Sequence, residues 1–254
     1  MSKLFSNLSI RNLTLKNRII MSPMCQYSAH DGFATDWHFV HYASRAIGGV
    51  AVVIQEATAV CPEGRISYGD LGIWKDEHIS KLKEIVTAIE ENGSIPGIQL
   101  AHAGRKASCE LGWKGGEQIK EGENSWQTVA PSPISFYETD NTPAELTEVE
   151  IEKIIYDFAL AAQRSIIAGY KIIEIHAAHG YLIHQFLSPL TNQRKDQYGG
   201  TFENRIRLLI KIVDAVRSLL DEDHSLWVRI SATDWVENGW NPEESTQLAS
   251  LLKD

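Results

Sequence analysis

The sequence predicts an α/β fold: a parallel sheet wrapped by helices, built as a (β/α) barrel is built. Three observations point there. Short apolar runs alternate with longer segments of helical periodicity, five times over. The run Ile172, Ile173, Ile175 ends in His176, His179 and Tyr181, and barrel enzymes gather their chemistry at the C-terminal ends of strands. The length of 254 residues is close to the ~250 of a complete eight-stranded barrel, yet only five strands can be counted. The expected architecture is therefore a single incomplete (β/α)8 barrel domain over residues 1–254, about five-eighths of the whole.

Taken in order, Leu4–Leu15 repeats apolar residues at short spacing around Arg11–Asn12, which suggests an N-terminal hairpin over about 4–15. Arg18–Tyr27 reads as the first strand, stopped by Ser22–Pro23. Trp37–Ile47 reads as a helix with Val40, Ala43 and Ile47 on one side. Gly48–Gly49 ends it, and Val50–Ile54 forms the second strand, closing on Gln55–Glu56–Ala57. His78–Glu91 is amphipathic, with Ile79, Leu82, Ile85, Val86 and Ile89 at helical spacing and Gly93 behind it. Ile95–Leu100 is the third strand. The stretch from about 104 to 146, rich in Gly, Pro, Ser and Trp, far exceeds a usual ~4–6-residue connection and reads as a lid.

Thr147 and Glu150 form a capping box ahead of a helix whose inward residues are Ile151, Ile154, Ile155 and Phe158. The fourth strand follows, between Gly169 and Gly180. Thr201 caps a helix with Ile206, Leu209, Ile210, Val213 and Val216 on one face, and Leu226–Ile230 is the fifth strand. Asn241–Pro242–Glu243–Glu244 opens a fifth helix, since Asn caps, Pro suits the first turn and acids favour a helix N-terminus. Its Leu248, Leu251 and Leu252 need a surface to cover, and the chain stops at Asp254.

Thirty-three acidic against 24 basic residues leave a net charge of −9, which disfavours nucleic acid or an anionic membrane as partner. No apolar run approaches the ~20 residues of a membrane span, and no signal peptide leads the chain. Cys25, Cys61 and Cys109 are too few and scattered for a disulfide framework or a CxxC metal site, so the expectation is a cytoplasmic protein with reduced thiols.

Any one of His176, His179 and Tyr181 alone reads as a packed core residue; three within six residues beside a strand end read as a site. A metal-dependent hydrolase using His102, His176, His179 and His184 competes with this, but no carboxylate stands in ligand spacing with them.

Six segments carry a resemblance: SPMCQYSA (22–29), QEATAVCPEGR (55–65), IQLAHAGRKA (98–107), EIHAAHGYLIHQFLSPLTNQRKDQYGG (174–200), FENRIR (202–207) and VRISATD (228–234). Together, in this order, they resemble the Old Yellow Enzyme family, FMN-dependent ene-reductases on a TIM barrel. The cysteine in SPMC and the Trp-containing insertion ending in WQTVAPS are similar to its bacterial thermophilic-like and xenobiotic reductase branch.

The resemblance implies FMN as cofactor, NADPH or NADH as hydride donor, and an enone or related electron-poor alkene as substrate. Ser22, Pro23 and Met24 would line the flavin, with Ala57 beneath it. Gln99 would bond its pyrimidine edge, Arg229 would place positive charge where the reduced ring is negative, and Cys25 would tune it. His176 and His179 would donate to the substrate carbonyl, Tyr181 would protonate the α-carbon, and Tyr27 and His102 would shape the pocket. The family's last three strand–helix units, with their phosphate-binding loops, would lie beyond residue 254. Weak FMN retention is therefore expected, with a homo-oligomer or a missing C-terminal fragment as partner, and a non-catalytic fragment stays open as a reading. Apart from the resemblance, Cys25 reads as a small buried hydrophobe, Gln99 as a satisfied strand amide and Arg229 as half of an ion pair.

Overall fold

The computed structural model describes residues 2–253; Asp254, at which the chain was read to stop, lies outside the described residues. Strands β1 (Leu8–Ile10) and β2 (Leu13–Leu15) pair antiparallel, with Leu8 opposite Leu15. Between them Arg11 takes a left-handed φ of 52° to make the turn. The hairpin's Leu8, Ile10, Leu13 and Leu15 pack with Val52, Ile54, Ile172 and Trp227, filling the N-terminal mouth of the sheet.

Strand β3 is only Ile20–Met21, far shorter than the expected Arg18–Tyr27. Pro23 lacks a ladder donor, and Tyr27 sits at φ 49°, which no extended strand allows. Helix α1 (Asp36–Ile47) follows and corrects another expectation. Val40 and Ile47 are 63% and 69% exposed, and the buried face is His38, His41, Tyr42 and Ala46. Polar anchoring turns the helix this way. The Tyr42 hydroxyl donates to buried Glu56 Oε2 at 2.5 Å and accepts from the Glu56 N–H at 3.0 Å.

Strand β4 (Val52–Ala59) is buried along its whole length, and β5 (Leu71–Gly72) pairs with its end. Helix α2 (Ile79–Glu91) buries Leu82, Ile85, Val86, Ala88 and Ile89 and leads into β6 (Ile95–Ala101). Residues 104–146 hold two short 3₁₀ turns and a two-residue parallel pairing of β7 (Val129–Ala130) with β8 (Ala144–Glu145). Helix α3 (Glu148–Ala168) opens on the Thr147–Glu150 capping box and closes at Gly169, φ 104°.

Strand β9 (Ile172–Ala177) is followed by α4 (Leu182–Leu187), which the sequence did not reveal because all six residues are buried and no polar face marks a period. Helix α5 (Phe202–Arg217) is capped by Thr201 and buries Ile206, Leu209, Val213 and Val216. Strand β10 (Ser225–Ile230) and α6 (Pro242–Lys253) complete the described chain. Leu248 is buried, but Leu251 is 54% exposed rather than covered.

All neighbouring strands in the order β10-β9-β6-β4-β3 are parallel, a partial TIM barrel. A bulge at Gln55/Ala57 breaks the β4–β6 register. It places Ala57, Gln99, Glu174 and Trp227 in one row across the sheet and leaves Glu56 free to turn toward Tyr42. Below that row Gly97 stands between Ile54 and Ile172. A Cβ there would run into Ile54 Cδ1 and lie 3.2 Å from Ile172 Cβ. Gly97→Ala should therefore cost about 1–3 kcal/mol, as overpacked cores do. A denaturation midpoint equal to the parent's would mean that Ile54 gives way freely.

Candidate active site

The end of β9 builds the site. His176 is the last inward-facing residue of β9, 3% exposed, and its Nδ1 accepts the Ala178 N–H at 3.2 Å. A ring nitrogen that accepts carries no proton, so the neutral ring holds its proton on Nε2. Burial, then the charges of His179, Arg229, His184 and Lys106, push its pKa down to about 3. The His179 and Tyr181 rings each lie 5.0 Å from the His176 ring, both at 86° to it.

The turn that carries His179 and Tyr181 is pinned at almost every peptide. His179 takes φ 60° and Gly180 φ 73°. The His179 N–H donates to Ser231 Oγ at 2.9 Å, and its carbonyl accepts from Lys106 Nζ at 3.0 Å. The Gly180 N–H donates to His184 Nδ1 at 2.8 Å, and Gln185 Nε2 donates to the Gly180 carbonyl at 2.8 Å. His184 Nε2 lies 2.9 Å from Asp234 Oδ1, tying the β9 turn to the segment after β10. His184 thus positions this loop rather than entering the pocket.

Tyr181 caps α4 with its backbone and turns its ring toward Lys106, whose Nζ stands 5.0 Å over it. Burial, with Cys25, Asp70 and Cys109 nearby, raises its pKa, so the phenol stays protonated. Tyr27 and Tyr181 both line a cavity of about 740 Å³, whose other walls include Arg105, Lys106, Phe136 and Tyr137. The long segment after β6 thus forms one wall of the pocket. Its Trp113 meets Tyr27 edge-on at 6.5 Å.

On the sheet's inner face Gln99 Nε2 donates to Glu174 Oε1 at 2.6 Å. Burial raises the Glu174 carboxyl, which Arg229 in part opposes. Arg229 pairs in register with His176 and makes no side-chain hydrogen bond or ion pair among the described residues. Cys25 is a half-buried thiol whose pKa burial raises, with Asp70 and Glu56 adding to it; it is no thiolate at neutral pH. Ser22 and Met24 are exposed at the rim, Pro23 is half-buried beside them, and Ala57 is buried within.

The structure places His102 away from the cavity that Tyr27 lines. Its ring is buried against Gly64, where an added Cβ would stand 3.1 Å from it, and its Nδ1 accepts the Gly104 N–H at 3.0 Å. It does not line the pocket beside Tyr27. The reason is the period of the strand: Ala101 faces inward, so the next residue faces out. Among the described residues no three His, Cys, Asp or Glu side chains form a metal-holding group. Glu174, Lys106 and Asp70 were missed; the first two are legible only as neighbours of Gln99 and His179 in space.

The sequence profile described as NADH:flavin oxidoreductase / NADH oxidase family matches residues 3–254. An NADPH dehydrogenase of Listeria monocytogenes serotype 4b is 50% identical over 255 residues, an alignment covering 100% of this chain and 70% of the relative. The structure of morphinone reductase in complex with tetrahydroNAD superposes with a TM-score of 0.84 at 31% identity, covering 99% of this chain and 71% of that one. Old Yellow Enzyme from Pichia sp. AKU4542 gives a TM-score of 0.84 at 29% identity over 98% of this chain and 66% of its own. Among the described residues no helix is long and apolar enough to cross a membrane.

Proposed function

The chain belongs to the NADH:flavin oxidoreductase / NADH oxidase family, FMN-dependent enzymes that oxidise NAD(P)H, and from that premise we propose that it reduces the C=C bond of α,β-unsaturated carbonyl compounds. The observation that carries this reading is the gathering of two neutral imidazoles and a protonated phenol at one strand end, with the phenol facing a roomy cavity.

The donor set fits FMN. Arg229 is an inward cation with no acidic partner in contact, suited to a ring that is anionic when reduced. Gln99 gives its amide N–H to Glu174, which leaves its carbonyl oxygen for a donor on the ligand. Ser22, Pro23, Met24, Cys25 and Ala57 would complete the bed. Bound FMN supplies the hydride, drawn from NADPH or NADH.

The protein's own part is to bind, orient and protonate. His176 and His179 donate to the substrate carbonyl, where negative charge grows as the β-carbon is reduced. Tyr181 gives its proton to the α-carbon, and Tyr27 closes the pocket beside it. The large cavity under the 104–146 segment admits a substrate with a bulky tail.

Load the protein with FMN, reduce it with NADPH without oxygen, and add 2-cyclohexenone. The flavin absorbance should return while cyclohexanone accumulates. Reduction by NADPH followed by recovery only with oxygen would sink the ene-reductase reading.

A further inference from the structure

Tyr181 also lines a second, much smaller cavity that the reaction so far leaves unused. It measures about 10 Å³, about the room one water needs. Its walls are small or apolar, Ala57, Ala59, Gly64, Ile66, Ala101 and Ala103, with only two titratable side chains, Asp70 and Tyr181. Asp70 is 3% exposed and sits at the end of the loop that follows β4.

Its hydrogen bonds can be counted. Oδ1 accepts from the Ser67 N–H at 3.1 Å and the Ser67 hydroxyl at 2.8 Å, and Oδ2 accepts from the Ile66 N–H at 2.7 Å. A carboxylate offers about four acceptor positions, so one on Oδ2 is uncommitted. A proton can sit there without breaking the loop.

We propose that Asp70 is a proton relay for Tyr181, acting through a single water in the cavity between them. The proposal rests on Tyr181 as the donor to the α-carbon. When Tyr181 has given its proton to the substrate, its phenolate takes one from the cavity water. The water takes the Asp70 proton in turn, and the Asp70 carboxylate is recharged from solvent between turnovers. No net charge is left in the site.

The surroundings hold Asp70 ready. Burial, with Glu56 adding to it, raises its pKa to about 7 against the loop's hydrogen bonds. Cys25, Tyr27, Tyr181 and Cys109 also face it and stay neutral at pH 7, each with its pKa raised in part by Asp70 itself. Arg65 is the one cation among these neighbours. An acid that is half protonated at neutral pH is the one best matched to reload a phenolate there.

The test has two arms. In flavin-free protein labelled with ¹³C at the aspartate carboxyl, one resonance absent from Asp70→Asn should titrate near pH 7. An Asp70 resonance titrating near pH 4 overturns the relay without any variant needing to work. In flavin-loaded protein, Asp70→Asn should slow steady-state enone reduction several-fold and flatten its pH profile, leaving the first turnover of each half-reaction unchanged. Losses in the first turnover of either half would mark Asp70 as a mere loop clamp, and no loss at all would also overturn the relay. Tyr181→Phe distinguishes the premise. If it is slow while Asp70→Asn is not, only the relay falls; if Tyr181→Phe is not slow, the donor assignment falls first.

Discussion

Tyr181→Phe should slow the enone-reducing half-reaction by about 10²–10⁴-fold, the usual worth of a positioned general acid, and leave reduction by NADPH unchanged. The variant removes one oxygen and little else. The phenyl ring still meets the His176 ring and still lies under Lys106. The α4 N-terminus is held by the Tyr181 backbone, whose carbonyl accepts the Gln185 N–H at 2.8 Å, so the helix should survive. Only the half-reaction that delivers a proton to carbon needs the hydroxyl. Stopped-flow traces with equal losses in both halves would instead mark Tyr181 as a packing residue.

Much of the fold was legible because the strands and helices keep their periods. The capping box at Thr147, the α2 face and the apolar run of β9 each state their structure locally. One failure came from tertiary polar contacts that outvoted the local pattern. Helix α1 turned Val40 and Ile47 to solvent because Tyr42 reaches the buried Glu56, and that glutamate is free only because β4 is bulged. No apolar periodicity records such a bond. Helix α4 was invisible for the opposite reason, being buried on every side.

The site divides in the same way. His176, His179 and Tyr181 lie close in sequence and remain close in space. Their supports come from elsewhere: Lys106 and Ser231 for the His179 peptide, His184 for Gly180, and Asp234 behind His184. His102 stands apart from Tyr27, because a motif fixes the neighbourhood of a residue and not the side of the strand it faces. Asp70 carries no signal in the sequence, and only its burial beside Tyr181 gives it a chemistry.

His176→Ala should lower the rate of enone reduction by about 10²–10³-fold, equivalent to about 2.7–4 kcal/mol, and His176→Asn should lose distinctly less. The histidine acts as a neutral donor: its Nδ1 is occupied by the Ala178 N–H, and its Nε2–H is the one left to give. An Asn amide also donates without charge; a methyl group cannot. Because burial and the neighbouring cations hold the ring's pKa near 3, no inflection in rate belongs to this histidine between pH 5 and 8. Stability gives the independent check, with the opposite dependence from a raised acid. A depressed histidine stabilises the fold fully above about pH 6.5, and that contribution is lost as the pH falls toward 3, because the unfolded chain takes up the proton first. His176→Asn should therefore lose less stability than the parent between pH 6.5 and 4, measured by urea midpoints. Equal rates for the Asn and Ala variants, or a parent rate that collapses around pH 6.5 as an ordinary histidine titrates, would remove His176 from the donor role.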